Sequence, residues 1–276
     1  PNPAGANGRP AMGEKENAAH VRYGTPDVLG NDRTRYAGKR VAVLGSGHSA
    51  IGTLIDLVEL GRQAPGTKPY WLLRGDNPAK SFGGGDKDGL AARAALGKIF
   101  AALVEERRIE ITTGFRLEAL ANGGGGIELH ATGSDSLAVD ELVVATGVRP
   151  DLSFLGELRL GLDPALDSPP GIAELIDPNV HSCGTVPPHG ARELELAEPN
   201  FYIAGMKSYG RAPTFLMITG YEQVRSIVAR IAGDDAAAGR GELVLPETGV
   251  CSAAEFYKVA CCGPAQQAAP CCETND

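Results

Sequence analysis

VAVLGSGHSAIG, Val41 to Gly52, decides how the rest of the chain is read. An apolar run drops into Gly45-Ser46-Gly47-His48-Ser49, and apolar residues then return at helical spacing at Ile51, Leu54, Ile55 and Val58. The run reads as a strand and Ser49 to Leu60 as a helix, with Gly61 as its stop. After the loop RQAPGTKP, the segment YWLLR (Tyr70–Arg74) reads as a second strand. Strand, tight turn, helix and strand make one βαβ unit, which by strong precedent is parallel and right-handed.

The spacing Gly45-x-Gly47-x-x-Ala50 fits the dinucleotide fingerprint G-x-G-x-x-G/A. Gly45 permits the tight turn, Gly47 lets the backbone approach a pyrophosphate, and the small Ala50 lets the helix pack close to the strand. The helix N-terminus offers unpaired N–H groups and partial positive charge to phosphates. The bland alternative is a tight turn with no ligand, and the strand and amphipathic helix flanking the turn weigh against it. A site for NAD would place Asp or Glu at the end of the second strand. Here the strand ends in Arg74, which suits a 2′-phosphate, although Asp76 lies two residues on. The balance favours NADPH. His48, inside the turn, reads as a cofactor neighbour rather than a base.

Working outward, a Gly-rich loop, SFGGGDKDG, precedes a helix over roughly Leu90–Glu106. IEITTG and FRLEALANGGGGIELHAT predict strands with a Gly-rich hairpin turn, and DELVVATGVRP predicts a buried strand. Residues 151–198 carry many prolines and weak periodicity. NFYIAG (Asn200–Gly205) predicts one more short strand. Pro213 to roughly Gly233 predicts a helix with Phe215, Leu216, Ile218, Val224, Ile227, Val228 and Ile231 on its apolar side. Upstream, residues 1–37 are polar and rich in Pro, Gly and Asn, with YGTPDVLG as the only ordered-looking piece.

The 276 residues suffice for one large or two modest domains, and 43% hydrophobic with 22% charged residues is ordinary globular composition. A net charge of −8 argues against nucleic acid or an anionic membrane as the main partner. No apolar stretch is long enough to span a bilayer, and the N-terminal residues have no apolar signal core. Five of the six cysteines crowd the C-terminal end instead of framing the fold, which fits a reducing, cytoplasmic setting.

GSGHSA resembles the NADPH turn of flavin-dependent monooxygenases and related flavoproteins with two dinucleotide-binding domains. LVVATGVRPDLSFL resembles the segment that closes the NAD(P) domain in the disulfide-reductase-like superfamily. NFYIAGMKSYGRAPTFLMITGYEQVRSIVARIAG resembles the late FAD-contacting strand and helix of the same enzymes. The resemblance covers about Arg40 to Gly233. It implies an α/β fold: a Rossmann-like parallel sheet for NAD(P), joined to the C-terminal part of an FAD-binding domain. The expected divisions are a polar segment (1–37), the NAD(P) domain (38–150), the FAD-type part (151–235), and a linker with a Cys-rich tail (236–276).

The implied function is NADPH-dependent flavin oxidoreduction of the monooxygenase type on a small-molecule substrate, with NADPH and FAD as cofactors. Gly45, Ser46, Gly47, His48, Ser49, Ala50 and Arg74 would serve NADPH. Gly205, Met206 and Arg211 would serve the flavin side, and Thr146 and Gly147 would shape the domain junction. No catalytic acid or base is named, because the flavin carries the electrons. Two features depart from the family. Residues 1–39 contain no apolar strand and no first G-x-G-x-x-G, so the chain is expected to be an incomplete flavoprotein. Met206 stands where many disulfide reductases carry an acidic residue. The body also lacks a C-x-x-C pair, against a dithiol mechanism.

His181, Cys183 and His189 lie within one short segment. They read either as a metal or catalytic cluster or, more simply, as a loop with hydrogen-bonded histidines and a buried thiol; no standard zinc spacing is met. His20 and His130 read as ordinary surface residues. The tail carries Cys251 and two vicinal pairs, Cys261-Cys262 and Cys271-Cys272. A vicinal pair is strained as its own disulfide, and soft thiolates select ions such as Cu(I), Zn(II) or trivalent arsenic. The competing function is therefore a thiol-rich metal(loid)-binding protein with a nucleotide-binding body. A homo-oligomer is compatible with either.

Overall fold

The computed structural model describes residues 1–83, 91–181 and 186–241. Among these, five parallel strands form one sheet in the order β1 (Val21–Tyr23), β8 (Glu141–Val144), β2 (Arg40–Leu44), β3 (Lys68–Leu72) and β4 (Glu110–Thr112). The apolar run Val41–Leu44 is continuous because both faces of the sheet are covered. Alternate residues point to opposite faces. Val41 and Val43 pack with Leu54, Leu57 and Val58 of α2 (His48–Gln63) and with Phe100 and Leu103 of α3 (Ala91–Glu105). Ala42 and Leu44 face a second, antiparallel sheet of β5 (Arg116–Gly123), β6 (Gly126–Thr132) and β7 (Leu137–Val139), where they meet Leu117, Ile127 and Leu129. Helices, parallel sheet and antiparallel sheet thus form three layers.

The β2–β8 register is fixed at one end by a two-pronged contact. Arg40 donates to Asp140 through its backbone N–H at 2.7 Å and through Nη2 at 2.9 Å. Those bonds hold the Asp140 carboxyl below the usual carboxylate range.

The parallel βαβ unit forms as its residues dictate, with two shifts: α2 begins at His48 and runs past Gly61 to Gln63, and the second strand is Lys68–Leu72, ending two residues before Arg74. The predicted helix over Leu90–Glu106 and the strand pair around the Gly-rich hairpin are α3, β5 and β6. Residues 1–37 correct the reading of a largely unstructured segment. They contribute the edge strand β1, the short helix α1 (Arg33–Tyr36) and a buried clasp at Glu14. The Glu14 carboxylate accepts the backbone N–H groups of Ala4 and Ala11 and the Tyr23 hydroxyl. Desolvation and that carboxylate together push the Tyr23 phenol well above its ordinary value.

A third core gathers Leu166, α4 (Pro170–Ile176), Leu194, Tyr209 and Ile227 of α5 (Met217–Ile231), with α6 (Asp235–Gly239) packed beside α5. Two sequence expectations fail here. NFYIAG forms no strand; its residues run without strand pairing into a 3-10 turn, Gly205–Tyr209. The other failure is the burial of α5. Its buried side is Thr219, Gly220, Glu222, Gln223, Ser226 and Ile227, whereas Met217, Ile218, Tyr221, Val224, Val228 and Ile231 are exposed. The helix is amphipathic with its apolar face outward.

Candidate functional site

The sheet order places a topological switch point at β2: the chain passes from β2 to β3 and β4 on one side, then returns to β8 on the other. Crevices of this kind, outside the carboxyl ends of the strands, are where open α/β sheets bind ligands. The glycine turn lies there. Gly45 adopts φ +137°, and a Cβ on it would come within 2.3 Å of the Ala145 carbonyl oxygen, so only glycine fits. Its N–H donates to Leu72 O at 3.2 Å, and its carbonyl accepts the Trp71 indole N–H at 2.8 Å. Trp71 is itself fully buried, edge-on to Phe100 at 4.8 Å between ring centroids.

Gly47 is different. It is the N-cap of α2, and a Cβ there would meet nothing within 4 Å. No side chain caps the helix, and Ser46, Gly47, His48 and Ser49 are exposed. Ala50, next in line, is fully buried under the helix. The protein's own packing therefore explains Gly45 and Ala50 but not Gly47. The donors of the first helical turn face an open space that suits an anion. A dinucleotide pyrophosphate fits this donor set.

Arg74 lies two residues past the end of β3, exposed, with Nη1 donating to the Ala6 carbonyl at 3.2 Å. One such contact leaves most of the guanidinium donors for a phosphate. Thr146 and Gly147 follow β8 beside Gly45. They are tied to the N-terminal segment: Asn2 Nδ2 donates to Thr146 O at 3.1 Å, and Asn2 N–H to Gly147 O at 3.0 Å.

The three residues expected on the flavin side are together, but in the third core and not at the glycine turn. Gly205 has φ +73°, Met206 is 64% exposed, and the Arg211 guanidinium donates to the Ala165 carbonyl. Lys207 reaches the Asp151 carbonyl at 2.9 Å and Ser208 closes onto Gly205 O at 2.7 Å. The turn is therefore fixed in its backbone with one apolar side chain presented outward.

His181 and His189 do not form a pair of free ligands. His181 is half-buried, and both ring nitrogens of His189 are engaged, with Pro187 O at 3.1 Å and Gln223 Nε2 at 3.0 Å. Cys183 and the tail cysteines Cys251, Cys261, Cys262, Cys271 and Cys272 lie outside the described residues. Among the described residues no group of three or more His, Cys, Asp or Glu side chains is placed to hold a metal ion, and no helix is long and apolar enough to cross a membrane. His20 Nδ1 donates to the Asp140 carbonyl at 3.0 Å, and His130 lies 3.9 Å from Glu128.

Sequence reading missed three contributors: Trp71, Asn2 and Gln223. A signal existed for Trp71, since a buried indole N–H must find an acceptor. Asn2 and Gln223 act through partners far away in sequence, so no local pattern marks them.

No family model and no curated protein matches the chain by sequence. Solved structures match it in shape. The Cu(II) complex of the HOCl-induced flavoprotein disulfide reductase RclA from Escherichia coli superposes with a TM-score of 0.55 at 16% identity, over 85% of this chain and 43% of that one. The bacillithiol disulfide reductase Bdr (YpdA) from Bacillus cereus superposes with a TM-score of 0.53 at 19% identity, over 83% of this chain and 59% of that one. The chain shares the fold of the matching part of each of these two structures. The chain spans 43% and 59% of the length of these two flavoprotein-fold structures. The Rossmann-like α/β architecture expected from the sequence is the one observed.

Proposed function

We propose that this chain is the NADPH-binding half, with one flavin-facing edge, of an FAD- and NADPH-dependent oxidoreductase of the monooxygenase type. The observation that carries the reading is Gly47: a glycine without a packing reason, at an uncapped helix N-terminus, at the switch point of a parallel sheet. Backbone donors from Gly45 to Ala50 would hold the pyrophosphate, and Arg74 the 2′-phosphate. When bound, the nicotinamide supplies a hydride to the flavin. The chain's own work is binding and orientation. Trp71 and Ala145 hold Gly45 in its left-handed conformation, which keeps the turn open, and Asn2 holds the backbone after β8 beside it.

A monooxygenase-type acceptor is favoured by the resemblance of GSGHSA, Gly45–Ala50, to the NADPH turn of flavin-dependent monooxygenases. The flavin edge is Gly205–Tyr209 with the exposed Met206; α5 meets this turn through its buried Gln223 and carries its apolar face outward. A face of that kind fits a helix whose partner is the remaining half of a two-dinucleotide flavoprotein. An absorbance spectrum with and without added FAD, followed by NADPH titration, tests the reading. A resolved flavin band that bleaches with NADPH supports it; NADPH binding without retained flavin would reduce the chain to a nucleotide-binding unit, and no NADPH binding would defeat the proposal.

The cysteine tail supports a second reading: a thiol-rich metal(loid)-binding protein with a nucleotide-binding body. Five thiols, four of them in vicinal pairs, make a soft donor set. Arsenite or Zn(II) binding measured on the full chain and on a chain ending at Gly249 tests it. Equal binding by both would remove the tail from consideration.

A further inference from the structure

Two backbone groups of fixed polarity close the ends of a buried polar relay through the third core. At one end the Gly205 N–H donates to Gln223 Oε1 at 2.7 Å. At the other the Pro187 carbonyl, 3.1 Å from His189 Nδ1, can only accept. Between them Gln223 Nε2 lies 3.0 Å from His189 Nε2 and 2.9 Å from Ser208 Oγ. With Oε1 committed to an N–H, the network assigns the amide: Nε2 must donate to His189. His189 Nε2 then carries no proton, and Nδ1–H donates to Pro187 O. Ser208 accepts from Gln223 and donates to Gly205 O at 2.7 Å. The Ser208 hydroxyl has a second, longer acceptor in Gln223 Oε1 at 3.3 Å, which leaves the amide assignment unchanged, and the imidazole is neutral.

His189 is 4% exposed and Gln223 is fully buried, so water has little access to replace a lost partner. A second proton on the imidazole would set an N–H against the Gln223 amide N–H2. Flipping the amide would relieve that contact and set N–H2 against the Gly205 N–H instead. In either arrangement two buried donors face each other, and the disturbance reaches Gly205. We propose that His189 is a positioning residue whose neutral Nδ1–H form holds the Gly205–Tyr209 turn through Gln223, and that protonation releases the turn. That this turn borders a flavin rests on the function proposed above; the coupling between His189 and Gly205 does not.

The groups around the imidazole favour the neutral state. Burial is the largest influence and lowers His189 from its ordinary value of 6.5, opposed by the bond to Pro187 and by Glu193, whose carboxylate accepts the Gly190 N–H at 2.9 Å. The 3-10 turn presents the Tyr209 ring at 5.5 Å between centroids. From α5 the facing group is the neutral Gln223, and nearby Glu222 is bridged to Arg225 at 2.6 Å.

The test is NMR on the 15N-labelled full chain without flavin, from about pH 8 to about pH 4, across the histidine range. The imidazole nitrogens of His189 and the amide of Gly205 are followed together. The expected result is an Nδ1–H tautomer at the alkaline end and a Gly205 amide that moves with the His189 midpoint. In His189→Gln the introduced Oε1 can accept from Gln223 at every pH, so the Gly205 amide should stay flat. Gln223→Glu should raise the His189 midpoint by about one unit or more, because a carboxylate favours the charged imidazole. An Nε2–H tautomer, a Gly205 amide that does not move in the unaltered chain, or an unmoved midpoint in Gln223→Glu would overturn the proposal. FAD reconstitution over the same range separates the two claims: an intact relay with no retained flavin would defeat the flavin reading and leave the relay standing.

Discussion

Gly45 and Gly47 stand two positions apart in one motif and are glycine for different reasons. At Gly45 a methyl group would collide with Ala145 O in a backbone conformation that side chains rarely adopt. Gly45→Ala should therefore cost about 2–4 kcal/mol of stability from strain and overpacking together. At Gly47 the backbone is extended and the space is open. Gly47→Val should change stability by no more than about 1 kcal/mol, as an ordinary N-cap exchange does, while abolishing NADPH binding. Thermal melts beside a binding titration check both, and a Gly47→Val chain that unfolds early would show that packing, not ligand, explains that glycine. Arg74 is the other residue whose role is separable. Arg74→Ala should weaken NADPH by roughly 10–100-fold, the equivalent of losing one or two hydrogen bonds to a charged group, and leave NADH nearly unchanged. Equal losses for both nucleotides would place Arg74 outside the 2′-phosphate site.

At the scale of elements, the βαβ core was legible because its signals are local. Val41–Leu44 is apolar at every position, α2 is periodic, and the turn between them is written in glycine. β1 was not legible: it has three residues, and only Val21 is buried. The N-terminal segment is ordered by bonds to distant partners, such as Asn2 to Gly147 and Arg35 to Glu141, which leave no local trace. For α5, the pattern gave the existence of an apolar side but not which side the fold covers. Lysine at Val224 and Val228 should change the stability of this chain by less than about 0.5 kcal/mol, since both positions are exposed, yet should abolish any flavin retention that depends on the outward face. Flavin retention equal to that of the unaltered chain would show that the face is not used.

The pairing of β2 with β8 carries a pH signature. Asp140 is depressed mainly by its bonds to Arg40, so its contribution is present above the ordinary carboxylate range and is lost as pH falls through the depressed value. His189 is also lowered, so its neutral state stabilises fully above 6.5 and progressively less as pH falls below that value. Stability should therefore decline in two acid steps, the upper one absent in His189→Gln and the lower one absent in Asp140→Asn. Asp140→Asn should also cost about 1–2 kcal/mol at neutral pH through the lost charge-assisted bonds. Denaturant midpoints across the acid range would check this, and unchanged profiles in both variants would contradict it.

For the molecule as a whole, three layers support a switch-point crevice, and a separate core supports a turn and a helix with an outward apolar face. The candidate nucleotide site was legible almost entirely, because a fingerprint between strand and helix is a local statement. The proposed flavin side, Gly205, Met206 and Arg211, was legible only as a resemblance, since this segment is placed by long-range bonds to Gln223, Asp151 and Ala165. The central claim is that the glycine turn holds NADPH, and calorimetric titration of NADPH into the unaltered chain tests it most directly. The account predicts saturable one-site binding, tighter than for NADH. No heat of binding, or a preference for NADH, would contradict it.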